Sequence, residues 1–114
     1  LVAVDFTINS INDPQFSELL TVGGSVEIPQ IGSRGVLLYR ASADVINAFD
    51  RHCTFQPSNT CAIVSADPNR LTASDNCCGS VFLLSTGEVS QPPAVTPLKK
   101  YNTILDGTSL RITN

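Results

Sequence analysis

The sequence predicts a mainly β domain, a small antiparallel sandwich or barrel with one short helix near the N-terminus. Three observations carry that expectation. Short β-branched or apolar runs recur along the chain, Gly, Pro and Asp turn signals separate them, and only one segment carries a helix start signal. With 114 residues there is enough chain for a single modest core. No internal repeat or linker-like tract divides it, so residues 1–114 read as one domain.

The elements follow in order. Val2-Ala3-Val4-Asp5-Phe6-Thr7-Ile8 alternates and is β-branched, which predicts an opening strand. Asp13 is a good N-cap and Pro14 fits a first helical turn, so a short helix starts there. Phe16, Leu19 and Leu20 form its apolar face, and Gly23-Gly24 ends it. Residues 25–29 read as a strand closed by Pro29. Residues 35–40 and 44–49 flank Ala41-Ser42-Ala43 and predict a hairpin. Strands at 62–65 and 70–73 flank the turn signal Asp67-Pro68-Asn69. A strand at 81–85 leads into a Thr86-Gly87 turn. Strands at 101–105 and 108–112 flank Asp106-Gly107, the clearest hairpin turn in the chain.

Composition narrows the function. An apolar fraction of 42% with 15% charged residues fits a folded globule and argues against disorder. The net charge of -3, with Lys99-Lys100 as the one basic doublet, offers no patch for nucleic acid or anionic lipid. No apolar run approaches the roughly 20 residues that span a bilayer. Gly-x-Ser-x-Gly, P-loop and dinucleotide fingerprints are absent, and Gly23-Gly24 is turn chemistry. There is no Met at position 1, so the expectation is a chain trimmed of a signal and exported.

Four cysteines lie in two loop-like segments, residues 50–61 and 75–80. Each segment lies between predicted strands, so both loops can meet at one tip of a β domain. In an exported protein this arrangement predicts disulfides, with three possible pairings; in the cytosol it predicts a metal. Cys77-Cys78 are adjacent and Cys53 and Cys61 lie far apart, which fits known zinc spacings poorly. Reactive thiol pairs usually take the form Cys-x-x-Cys, which is missing here. His52 reads as a hydrogen-bonded or exposed loop residue before it reads as a base or ligand. Asp50 and Asp75 form a candidate acid–base pair if the loops meet, against the plainer reading of turn caps or partners of Arg51 and Arg70.

Several motifs in a row resemble Rieske iron–sulfur domains. Ala48-Phe49-Asp50-Arg51-His52-Cys53-Thr54-Phe55 stands where that family has its Cys-x-His loop, and Asp75-Asn76-Cys77-Cys78-Gly79-Ser80 where it has Cys-x-Cys-His-Gly-Ser. The strand-turn-strand segment 81–89 follows. Then come Pro93-Ala94-Val95-Thr96-Pro97-Leu98-Lys99-Lys100-Tyr101 and a last hairpin with Asp106-Gly107. The resemblance covers residues 35–112 and implies the Rieske-like β fold. The chain is also similar to exported Bacteroidetes lipoproteins with Asp-Arg-x-Cys and Cys-Cys-Gly-Ser patterns, which implies a periplasmic or cell-surface lipoprotein.

The departures from the family pattern decide the functional expectation. A Rieske cluster needs two Cys and two His ligands. By register Cys53 keeps the first Cys position, Phe55 replaces the first His, Asp75 the second Cys and Cys78 the second His. No shift of register restores the set, because the chain has one His.

The resemblance further implies a Cys61–Cys77 disulfide, since in many Rieske domains the Cys between the second-loop ligands pairs with a first-loop Cys. That leaves Cys53 with Cys78, the alternative pairing being Cys53–Cys77 with Cys61–Cys78. The expectation is therefore a cluster-free, non-enzymatic binding or structural module of the cell envelope, with two disulfides and no cofactor. Its alternatives are an electron-transfer protein with an atypical [2Fe-2S] ligand set, a zinc protein and a thiol–disulfide redox protein. Phe55, Pro57, Pro92 and Pro93 form a candidate apolar tip for an envelope protein partner.

Overall fold

A computed structural model describes residues 3–55 and 61–114. Among the described residues, ten strands make two antiparallel sheets beside one 3₁₀ helix. The larger holds β1 (Asp5–Ile8), β2 (Ser25–Ile28), β3 (Val36–Arg40), β4 (Ile46–Asp50), β9 (Lys100–Asp106) and β10 (Ser109–Thr113). Its strand order is β1-β10-β9-β4-β3-β2. The smaller holds β5 (Ser65–Ala66), β6 (Thr72–Ser74), β7 (Val81–Leu83) and β8 (Val89–Gln91) in sequence order.

The β3–β4 hairpin separates two cores. Leu37 faces Phe49 and Leu38 faces Ala48 across it. Because side chains alternate along a strand, Val36, Leu38, Ile46 and Ala48 join one apolar cluster with Leu19, Leu110 and Ile112. Leu37, Tyr39 and Phe49 join the other, with Ala73, Phe82, Leu84 and Cys53. Burial on both faces is why residues 36–39 read as an unbroken apolar run instead of an alternating one. Polar ties bind the small sheet to the hairpin. The Asn47 amide donates to the carbonyls of Leu84 and Ser85 at 3.1 and 3.0 Å. The Tyr39 hydroxyl donates to Arg70 O at 2.7 Å.

The helix covers Pro14–Leu20 as two 3₁₀ turns that meet at a non-helical Phe16. Asp13 caps it by accepting from Gln15 N at 3.2 Å. Leu19 is buried, whereas Leu20, expected on the apolar face, is exposed. Three further expectations shift. The strand read at 62–65 starts at Ser65, because residues 62–64 pair with the 51–53 loop: Cys53 N donates to Ala62 O and Val64 N to Arg51 O, both at 2.8 Å. The β9–β10 turn consists of Gly107-Thr108, since Asp106 pairs with Ser109. β8, which appeared only as part of the Rieske-like strand-turn-strand, pairs with β7 through an irregular register.

Candidate functional site

Both cysteine segments leave the hairpin region and the small sheet at the same end of the second core. The first continues β4. At its root lies Asp50, 3% exposed. Its carboxylate accepts from Ser33 N at 2.7 Å, Arg34 N at 3.3 Å, His52 N at 2.9 Å and the Tyr101 hydroxyl at 2.7 Å. The 32–34 loop wraps so closely that a Cβ on Gly32 would lie 2.8 Å from the carboxylate, and φ there is +75°. Glycine is therefore required at this position on two counts. Burial, and next the bond to Asp50, push the Tyr101 phenol well above its ordinary range.

The second segment follows β6 and closes on itself. Asp75 N donates to Ser80 O at 2.9 Å and Gly79 N to Asp75 O at 2.8 Å, with Gly79 at φ +81°. Cys61 and Cys77, the pair the resemblance implies, are joined by a disulfide across 16 residues. Both residues are exposed.

The remaining cysteines correct the expectation. Cys53 and Cys78 are free thiols, so neither the Cys53–Cys78 bridge nor the alternative pairing forms. Between them stands Asp75, 1% exposed. Its carboxylate accepts from Cys77 N at 2.8 Å, the Cys78 thiol at 3.3 Å and the Cys53 thiol. A disulfide would strip both thiol donors from a buried carboxylate, and leaving such a group short of partners is costly. The Cys78 sulfur also meets Ser80 Oγ at 3.1 Å, and that oxygen accepts from Ala94 N at 2.9 Å. Ser80, fully buried, had no signal in the sequence reading beyond its place in the Cys-Cys-Gly-Ser motif.

The electrostatics follow from that packing. Burial pushes the Cys53 thiol up to about 12; the Phe55 N–H opposes this, and the Asp75 carboxylate adds to it. Burial also acts to raise the Asp75 carboxyl. The Cys53, Cys77 and Cys78 donors outweigh burial and hold it below the usual carboxylate range.

No family model matches the chain, and no curated protein matches it. Solved structures do. The plasma membrane Rieske protein PetC3 of the cyanobacterium Synechocystis PCC 6803 superposes with a TM-score of 0.70 at 18% identity, covering 96% of this chain and 99% of that one. The fold is Rieske-like. A chain from the complex of reduced oxygenase and oxidized ferredoxin in carbazole 1,9a-dioxygenase gives 0.63 at 17% identity, over 96% and 93%. The E. coli protein NirD gives 0.59 at 16% identity, over 98% and 97%.

A Rieske cluster does not fit the residues present. Cys53, Asp75 and Cys78 bring two sulfurs and one carboxylate to the cluster end, with ligand atoms within 4.8 Å of one another. Phe55 has no donor atom, and its ring packs half-buried on the second core. His52 lies elsewhere, its Nδ1 3.1 Å from Ser33 Oγ. The second iron of a His₂Cys₂ cluster would find no imidazole.

Asp50 and Asp75 are held by separate sets of donors. Arg51, offered as a partner for the acids, instead bonds Val64 O at 2.9 Å and lies 3.4 Å from Glu27. Of the candidate tip, Pro92 is exposed, Pro93 and Phe55 are half-buried, and Pro57 lies outside the described residues. Val95, 89% exposed beside them in sequence, was missed.

Proposed function

We propose that this chain is a cluster-free Rieske-like module that acts in binding or structure at the cell envelope and is not an enzyme. One observation carries the reading. At the four positions where the family places its ligands stand Cys53, Phe55, Asp75 and Cys78, and the phenyl ring and the buried carboxylate are integrated into the packing of the protein itself. Electron transfer through a [2Fe-2S] group is disfavoured on the same ground. A thiol–disulfide role is disfavoured because the Cys53 thiol is pushed up, opposite to the shift that makes a nucleophile. An exposed Cys61–Cys77 disulfide favours an oxidising compartment, which supports export as a periplasmic or surface lipoprotein. The exposed Pro92 and Val95, with the half-buried Phe55 and Pro93, are the surface we assign to a protein partner.

The test combines an absorption spectrum, iron and sulfide analysis, and intact mass without reductant. The expected protein is colourless, free of iron and sulfide, and lighter than the fully reduced chain by about two hydrogen masses, for one disulfide. Stoichiometric iron with sulfide overturns the reading.

A further inference from the structure

Cys77-Cys78 and Cys53–Cys61 fit zinc spacings poorly, but the structure brings together a different set. The disulfide consumes Cys61 and Cys77, one from each unsuitable pair. It leaves Cys53 and Cys78 with Asp75 between them, three donors from two loops within 4.8 Å of one another. We propose that Cys53, Asp75 and Cys78 bind a single zinc-class divalent cation, with water as the fourth ligand.

Four features support this site. First, the dimensions fit. Zinc–sulfur bonds of about 2.3 Å at a tetrahedral angle place two sulfurs about 3.8 Å apart, so the donors need contract by no more than about 1 Å. Cys78 is half-exposed, which opens the site to ions from solvent. Second, the donors suit the ion. Two thiolates with one carboxylate select zinc-like ions over magnesium or calcium, which want oxygen alone.

Third, the charge is conserved. Without metal the one carboxylate of the trio, Asp75, accepts from the two thiols. Binding releases two protons and forms two metal–sulfur bonds. Three negative ligands against a divalent cation again leave one net negative charge, so burial is no worse than before. Fourth, the carboxylate keeps a partner. Metal replaces the two thiol donors of Asp75 by a coordinate bond, whereas oxidation to Cys53–Cys78 would remove them and return nothing. Ser80 Oγ, anchored by Ala94 N, is placed to steady the Cys78 sulfur.

The inference rests on the cluster-free reading, since the same thiols cannot serve both metals. The experiment titrates the purified, metal-free protein, its disulfide intact, with cobalt(II) and then zinc. Expected are one cobalt per chain, a thiolate-to-cobalt charge-transfer band, and its loss on adding one equivalent of zinc. Cys78→Ser, at a half-exposed position, leaves Cys53 as the one thiolate and so weakens the band while the far-ultraviolet dichroism is kept. Asp75→Asn binds cobalt more weakly. A Cys61→Ala/Cys77→Ala double variant keeps the band.

Absence of any charge-transfer band in the folded wild-type protein overturns the proposal. So does a band undiminished by Cys78→Ser, or a native mass showing a second disulfide. Iron with sulfide in the purified protein would sink the cluster-free reading instead. A protein free of iron that also fails to bind cobalt sinks the metal site alone.

Discussion

Asp50 and Asp75 both open a cysteine segment and both are almost completely buried, yet they are held in opposite ways. Asp50 is surrounded by donors that cannot leave: three backbone N–H groups and the Tyr101 phenol, from the 32–34 loop, residue 52 and β9. Asp75 has backbone support from its own loop, but its other partners are two thiols. Thiols are weak donors that an ion can displace. The first carboxylate is therefore a structural post that orders the base of the tip. The second belongs to a set whose composition can change. Burial alone does not separate a structural acid from a candidate ligand; the chemistry of its donors does.

The strongest challenge to this comparison is Asp50→Ala. Four buried or part-buried donors lose their acceptor, and a loss of about 3–5 kcal/mol is expected by chemical denaturation. Next is Tyr101→Phe, which removes one charge-assisted hydrogen bond and should cost about 1.5–3 kcal/mol. This variant also has a pH signature. The phenol is raised in the folded state, so the unfolded chain ionises first, and stability present below about pH 10 declines as pH climbs toward the folded value. Wild type should show that alkaline decline in its unfolding midpoint, and Tyr101→Phe should show less of it. The smallest loss belongs to Asp75→Ala without metal, about 1–2 kcal/mol, because two of the stranded donors are thiols. A cost equal to that of Asp50→Ala would erase the distinction drawn between the two acids.

The fold was legible where local chemistry and tertiary packing agree. The runs read at 35–40 and 44–49, which form strands at 36–40 and 46–50, the Asp13-Pro14 start and the closing hairpin needed no distant information. The strand expected at 62–65 moved because its first residues are claimed by the 51–53 loop, a partner far away in sequence. The site was legible as two segments but not as a site. Cys61–Cys77 followed from resemblance, and the remaining two cysteines were expected to pair by elimination. Asp75, by register a replaced ligand, is instead an acceptor that competes for both thiols.

By itself the sequence determined the β class, the position of the cysteine loops and, with one His in the chain, the lack of a Cys₂His₂ ligand set. Each depends on counts, periods and turn residues, which are local properties of the chain. Only the tertiary structure decided which cysteines are bonded, and that Asp75 stands between the other two. Those facts depend on how two loops from different sheets close over one core, where distances of a few ångströms set the outcome and spacing along the chain says nothing of them.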